Sequence, residues 1–169
     1  MQVIMGIDPG LATVGFGVIK SEGNNLIYVD SGTIKTKPEL DLPERLNIIK
    51  VDFLSLLRTY KPDAVGVEEL FFAKNVTNAI KVAHARGVIL ECLFERKIPL
   101  INFTPLQVKK NIAGDGGADK WQIQEMVKRF LGLKAHPKPD DAADALAIAI
   151  CAERVFKNQT ITKTLNSKS

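Results

Sequence analysis

Four acidic residues stand where a carboxylate is difficult to explain as surface decoration. Asp8 and Glu68 each end a short apolar stretch, VIMGID and AVGVE, while Asp141 and Asp144 lie in the first turns of the apolar run AADALAIAICA. Asp141 and Asp144 are three residues apart, so on a helix they share one face. Asp144 is bordered by Ala142, Ala143, Ala145 and Leu146, and an ionised carboxylate is seldom buried among such neighbours without a compensating charge. No Lys or Arg follows on that segment until Arg154. Taken one at a time, the acids have simpler readings: Asp8 could cap a turn, and Asp140 and Asp141 could answer a helix dipole. Brought together, the four would repel one another by on the order of several kcal/mol at a protein-like dielectric. Two divalent cations would neutralise them. Oxygen ligands without His or Cys select Mg²⁺, with Mn²⁺ as a substitute, over zinc. Two such ions about 4 Å apart can activate a water and stabilise the leaving 3′ oxygen of a phosphodiester, which is nuclease chemistry.

The elements that must carry these acids are legible from pattern. VIMGID is nearly all apolar, as expected of a central strand covered on both faces, and Asp8-Pro9-Gly10 ends it. Thr13 to Lys20 and Leu26 to Lys35 are rich in β-formers and joined by Gly23-Asn24-Asn25, so residues 2–35 predict a three-stranded antiparallel meander. Leu46, Ile49, Phe53, Leu56 and Leu57 recur at helical spacing between Pro43 and Tyr60. A strand at Ala64 to Glu68, a helix at Asn75 to Arg96 and a fifth strand at Ile98 to Phe103 follow, with Gly87 expected to permit close packing of that helix. Thr104-Pro105 opens a short helix, Asn111 to Ala118 is a Gly-rich loop, and Asp119 to Leu131 is a further helix. After a proline-punctuated linker, Lys134 to Pro139, the last helix runs to about Phe156. Its apolar residues lie all round, which implies burial. The expected fold is α/β: a five-stranded mixed sheet flanked by helices on both faces. Residues 1–156 form one domain in this reading, and 157–169 a mobile basic tail.

Composition narrows the class further. With 169 residues, 46% apolar and 25% charged, the chain suits one ordinary globular domain and excludes disordered, collagen-like and disulfide-scaffold classes. No basic flank precedes a long apolar stretch and no run approaches the roughly 20 residues of a bilayer span, so no membrane association is expected and a cytoplasmic location is. Cys92 and Cys151 lack metal-site spacing and read as buried thiols. Of the formal charge of +4, Lys157, Lys163 and Lys168 in the acid-free tail supply three. Thr104 to Lys138 carries seven basic residues against three acids, a patch that suits phosphates as well as it suits a solvated helix face.

Five stretches, in order and at compatible spacing, resemble the RuvC family of bacterial Holliday junction resolvases, within the ribonuclease H-like superfamily. They are GIDPGLATVGFGVI at 6–19, VGVEELFFAKN at 65–75, AIKVAHARGVIL at 79–90, QVKKNIAGDGGADK at 107–120 and DDAADALAIAI at 140–150. The resemblance spans about residues 3–152. It implies a ribonuclease H-like fold and a structure-selective endonuclease that acts in homologous recombination and DNA repair by symmetric hydrolysis. It assigns Asp8, Glu68, Asp141 and Asp144 as the metal-binding catalytic acids, with two Mg²⁺ per subunit, and leaves Asp140 and Glu69 as neighbours that point elsewhere. Strand alternation independently puts Glu69 on the face opposite Glu68.

The resemblance also places Lys109 and Lys120 beside the scissile phosphate and makes Phe71 a wedge between bases at the junction centre, with Phe72 read as core. Lys74, Lys81 and Arg86 form a basic edge, with no acid between Lys74 and Leu90, suited to DNA. A four-way junction cut on two strands of like polarity needs two sites related by a two-fold axis, so a homodimer is expected, with the Asn75 to Arg96 helix as its interface or else packed within the chain. RuvA and RuvB, the branch-migration proteins, are the partners that the family implies. Two rival readings remain at this point. Asp8, Gly10 and Gly15 on a hairpin also resemble a nucleotide phosphate loop of actin-like kinases, although one domain of this length lacks their second half. A non-catalytic nucleic-acid module would use the basic patch but leaves Asp144 unexplained.

Overall fold

A computed structural model describes residues 1–70 and 76–166, with side chains described up to Leu70 and from Ala79 to Thr160. Strands β1 (Gln2–Asp8), β2 (Thr13–Glu22) and β3 (Asn25–Lys35) form the expected meander, then α1 (Leu42–Tyr60), β4 (Ala64–Glu68), α2 (Val76–Glu95), β5 (Leu100–Phe103), α3 (Pro105–Ala113), α4 (Lys120–Phe130) and α5 (Asp140–Asn166). The sheet runs β3-β2-β1-β4-β5, with β1 antiparallel to β2 and parallel to β4, and β4 parallel to β5. The mixed five-stranded sheet is therefore as the pattern implied.

Alternation along β1 and β4 divides the core. Met5, Ile7, Val65 and Val67 pack with Ile49 and Phe53 of α1 and Ala85 and Ile89 of α2. Ile4 and Ala64, pointing the other way, pack with α3, α4 and α5 through Val108, Val127, Leu146 and Ile148. Both faces are covered, which is why these strands read as continuous apolar runs. Side-chain caps fix the helix starts. Asp41 and Glu44 cap α1 reciprocally, as do Thr104 and Gln107 on α3 and Asp119 and Gln122 on α4.

α5 reaches the sheet because the strands beneath it carry no side chains there. Gly17, Gly6 and Gly66 stand side by side across β2, β1 and β4. A Cβ on Gly6 would lie 2.0 Å from the Ala145 carbonyl oxygen, and one on Gly66 2.8 Å from the Ala152 Cβ. Glycine below and alanine above bring a helix backbone down onto a sheet, and that contact sets where the first turns of α5 fall.

Several details differ from the sequence expectation. α5 continues past Phe156 to Asn166, so the boundary placed at residue 156 falls inside a helix. The segment KNQTITKTLN has neither Gly nor Pro, and extending an existing helix adds a hydrogen bond per residue with no new nucleation. Lys157, assigned to the tail, donates to the Gly23 carbonyl at 2.6 Å and to Asn24 Oδ1 at 2.8 Å. β5 begins at Leu100 rather than Ile98, because Lys97 is left-handed and the Ile98 N–H turns back to the Leu93 carbonyl. Gly87 packs against nothing among the described residues: a Cβ there would have no described atom within 4 Å. Cys92 and Cys151 are buried free thiols, as read. No helix among the described residues is long and apolar enough to cross a membrane.

Candidate active site

Asp8 and Glu68 are the last residues of two adjacent parallel strands. Ile7 pairs with Val67, so the two acids stand level, on the sheet face that α5 covers. Parallel neighbours are about 4.8 Å apart between strands, so neither carboxylate can avoid the other's field. Asp8 also pairs with Gly15 across the β1–β2 ladder, and the backbone of Asp141 rests on Gly15, where an added Cβ would lie 3.2 Å from the Asp141 Cβ. One turn on, Asp144 faces the same region beside Glu68 in a cleft of about 220 Å³, whose other polar residues are Lys109 and Lys120.

The electrostatics record this convergence. Burial pushes Asp8 up to about 8, and the charges of Glu68, Asp144 and Asp141 add to the rise while Lys120 opposes it. Glu68 is pushed up to about 7, first by burial and then by Asp144. Burial holds Asp144 above the usual carboxylate range against the pull of Lys120. The Lys120 Nζ lies 3.3 Å from Asp144 Oδ2 and 3.2 Å from Asp140 Oδ2. Burial works against this ammonium, but Asp144 and Asp140 more than offset that and keep its pKa above the ordinary lysine value. All four predicted acids therefore come, from three separate stretches, to one end of the sheet. Their oxygens do not close around one point: among the described residues, no three His, Cys, Asp or Glu side chains stand as a ready-made metal cluster. Lys120 is paired with Asp144. The donor set, oxygen throughout and short of positive charge, still suits a hard divalent cation.

The two neighbours expected to point elsewhere are both exposed, but Asp140 shares Lys120 with Asp144. Asp140 is exposed and accepts from Gln124 Nε2 at 3.1 Å, and Glu69 is exposed with its N–H bound to the Phe103 carbonyl. Lys109 is half-buried at the cleft, and Lys81 is exposed on α2. Phe71, Phe72 and Lys74 lie outside the described residues.

Arg86 takes a place that the sequence did not suggest. Rather than standing on an outward basic edge, it is half-buried, with Nε donating to the Glu68 carbonyl at 3.1 Å and Nη2 to Asn102 Oδ1 at 2.8 Å. Its planar fork thus ties the last residue of β4 to β5 and α2. Asn102, the third residue of a four-residue strand, carried no sequence signal beyond being polar.

Comparison with known proteins bears on this arrangement. The family model for crossover junction endodeoxyribonuclease RuvC matches residues 4–152. The chain belongs to the RuvC family. RuvC of Rubrobacter xylanophilus is 53% identical over 150 residues, which are 89% of this chain and 84% of that protein. RuvC of Syntrophomonas wolfei is 50% identical over 166 residues, 98% of this chain and 96% of that one. A solved structure described as Thermus thermophilus RuvC in complex with Holliday junction substrate superposes with a TM-score of 0.84 at 38% identity, covering 89% of this chain and 92% of the other. The fold is thus the RuvC, ribonuclease H-like fold, and as a RuvC the chain is a Holliday junction resolvase, a phosphodiester hydrolase of recombination and repair.

Proposed function

We propose that Asp8, Glu68, Asp141 and Asp144 are the catalytic carboxylates and that they hold two Mg²⁺ ions per subunit, with Mn²⁺ as a substitute. The observation that supports this is the convergence of Asp8, Glu68 and Asp144, three half-buried acids from three elements at one end of the sheet, with Lys120 paired to Asp144. Bound there, divalent cations supply activation of a water and stabilisation of the departing 3′ oxygen. The chain's own residues do the rest. The carboxylates fix the reacting groups on the ends of rigid strands and one helix, and Lys109 and Lys120 hold the phosphate by charge-assisted hydrogen bonds. Water oxygen bonds to phosphorus in line, the P–O3′ bond breaks, and a 3′ hydroxyl and a 5′ phosphate result.

The substrate in this reading is four-way junction DNA, cut symmetrically by a homodimer in the cytoplasm with RuvA and RuvB as partners. Phe71 would stack on bases at the junction centre, and Lys74, Lys81 and a remaining donor of Arg86 would meet the backbone. α2 supplies the two-fold surface in this reading. Ile80, exposed at 50%, the open Gly87 and Phe94, exposed at 86%, follow one another at helical spacing along one side of α2.

The test is Asp8→Asn assayed on a synthetic four-way junction. Junction binding is expected to persist while Mg²⁺-dependent cleavage disappears and EDTA abolishes cleavage by the unaltered chain. Cleavage retained by the variant would refute the assignment, and ATP hydrolysis by the unaltered chain would favour the kinase reading instead.

A further inference from the structure

The turn that follows Asp8 forms one wall of a second cleft. Gly10, Leu11, Ala12 and Thr13 line it together with Arg45 from α1 and Lys81 from α2, and its volume is about 410 Å³. No acid is among the described residues that line it, so two cations face it with no opposing charge in its walls.

Arg45 is oriented before any ligand arrives. Its Nε donates to Thr36 Oγ1 at 2.8 Å, Thr36 Oγ1 donates to the Leu11 carbonyl at 2.6 Å, and the Thr36 N–H bonds to the Ala12 carbonyl at 3.0 Å. The same threonine therefore fixes both the guanidinium and the turn. A guanidinium has five N–H donors, of which this contact uses one. A planar fork held in place loses little freedom on binding a tetrahedral oxyanion, which suits it to phosphate.

The cleft also lies at the right range from the chemistry. Gly10 is two residues beyond Asp8, and two residues span at most about 7 Å. Phosphates follow one another along a strand at about 3.4 Å of rise, so the cleft is within a few nucleotides of the acids. Its cations come from α1 and α2, which pack on the sheet face opposite α5, whereas Lys109 and Lys120 reach the acids from α3 and α4.

We propose that Arg45, Lys81 and the Gly10–Thr13 turn form a second phosphate subsite, which grips the DNA backbone a few nucleotides from the scissile bond. The proposal rests on the nuclease reading above and adds to it a built contact that no acid-centred argument requires. Such a contact is blind to base sequence and fixes the strand's register over Asp8.

The experiment measures junction binding by fluorescence anisotropy across a range of NaCl concentrations, in the Asp8→Asn background, for Arg45→Gln, Lys81→Gln and the double variant. Each single variant is expected to bind about three- to tenfold more weakly whatever the junction sequence, and to lower the log–log salt slope by about one. Because both side chains serve one phosphate, the double variant should lose less than the product of the two single losses. Lys81 is exposed, so its variant keeps the fold, and an unchanged salt slope in Lys81→Gln overturns the proposal even if Arg45→Gln is unstable. An Arg45→Gln protein of unchanged melting temperature and unchanged slope overturns it equally. Failure of the unaltered chain to bind or cut the junction at all would instead count against the nuclease reading.

Discussion

Gly15 and Asp141 are in backbone contact: a Cβ built on Gly15 would stand 2.1 Å from the Asp141 carbonyl oxygen. Since Gly15 pairs with Asp8 in the β1–β2 ladder, this one glycine sets the distance from the first turn of α5 to the end of β1. Gly15→Ala must push the helix start away, because the obstacle is main chain and cannot rotate aside. Overpacking of this kind costs about 1–3 kcal/mol, and a misplacement of about 1 Å at a reacting centre can cost about 100-fold in rate. The variant is expected to stay folded with a lowered melting temperature and to lose about 100-fold in Mg²⁺-dependent junction cleavage. Cleavage at the unaltered rate would show that α5 tolerates the shift.

Arg86 is expected to act through Glu68. Its two hydrogen bonds, to the Glu68 carbonyl and to Asn102, hold the end of β4, and bonds to a charged donor contribute about 1.5–3 kcal/mol each when partly sheltered. Arg86→Ala should lower both melting temperature and turnover. Arg86→Lys should restore less than half of the loss, because a single ammonium cannot reach both acceptors with the geometry of a fork. A change confined to KM, with kcat intact, would show that Arg86 acts through DNA contact alone and not through Glu68.

The acids were legible in the sequence because of where they sit: a carboxylate that ends an apolar strand or interrupts an apolar helix has few structural uses. The meander, the two-sided sheet and the amphipathic α1 followed from periodicity in the same way. Arg86 was not legible, since a lysine- and arginine-bearing helix reads the same whether an arginine faces solvent or a strand end, and only the pairing of β4 with β5 puts the two acceptors within its reach. The end of α5 was missed because polar residues without Gly or Pro are equally compatible with a continued helix and a loose tail. The glycines were seen singly. Their alignment across three strands depends on register, which the sequence shows only once the pairing is known.

Stability of the metal-free chain should fall as pH rises through the range where the buried acids ionise. Asp8 moves from an ordinary value of 3.8 to about 8 and Glu68 from 4.5 to about 7, in both cases chiefly through burial. A raised carboxyl favours the folded state fully below its unfolded pKa, and that contribution is lost progressively as pH climbs to the folded one, here from about 4 to about 8. Urea midpoints in EDTA are therefore expected to decline across this window, and Asp8→Asn to decline less. Saturating Mg²⁺ should remove the decline and release protons on binding. A midpoint that rises between pH 5 and 8 in EDTA, equally in both proteins, would show that these acids ionise freely.

Asp140 and Asp144 divide one lysine between them, and the division predicts opposite outcomes. Lys120 bonds to both, at 3.2 and 3.3 Å, but Asp140 is exposed and also held by Gln124, whereas Asp144 lies in the cleft with Glu68 and raises the pKa of both Glu68 and Asp8. Exposed ion pairs are screened by solvent and contribute little, so Asp140→Asn should alter melting temperature little and cleavage by no more than about threefold. Asp144→Asn removes a carboxylate from the site itself and should lose at least about 100-fold in cleavage. It should also raise the stability of the metal-free chain at pH 8, since a buried repulsion is relieved. Junction cleavage and thermal unfolding of the two variants, measured side by side, decide which aspartate of the DDAAD run belongs to the chemistry; equal losses in both would mean that Lys120, and not Asp144, is the group that matters.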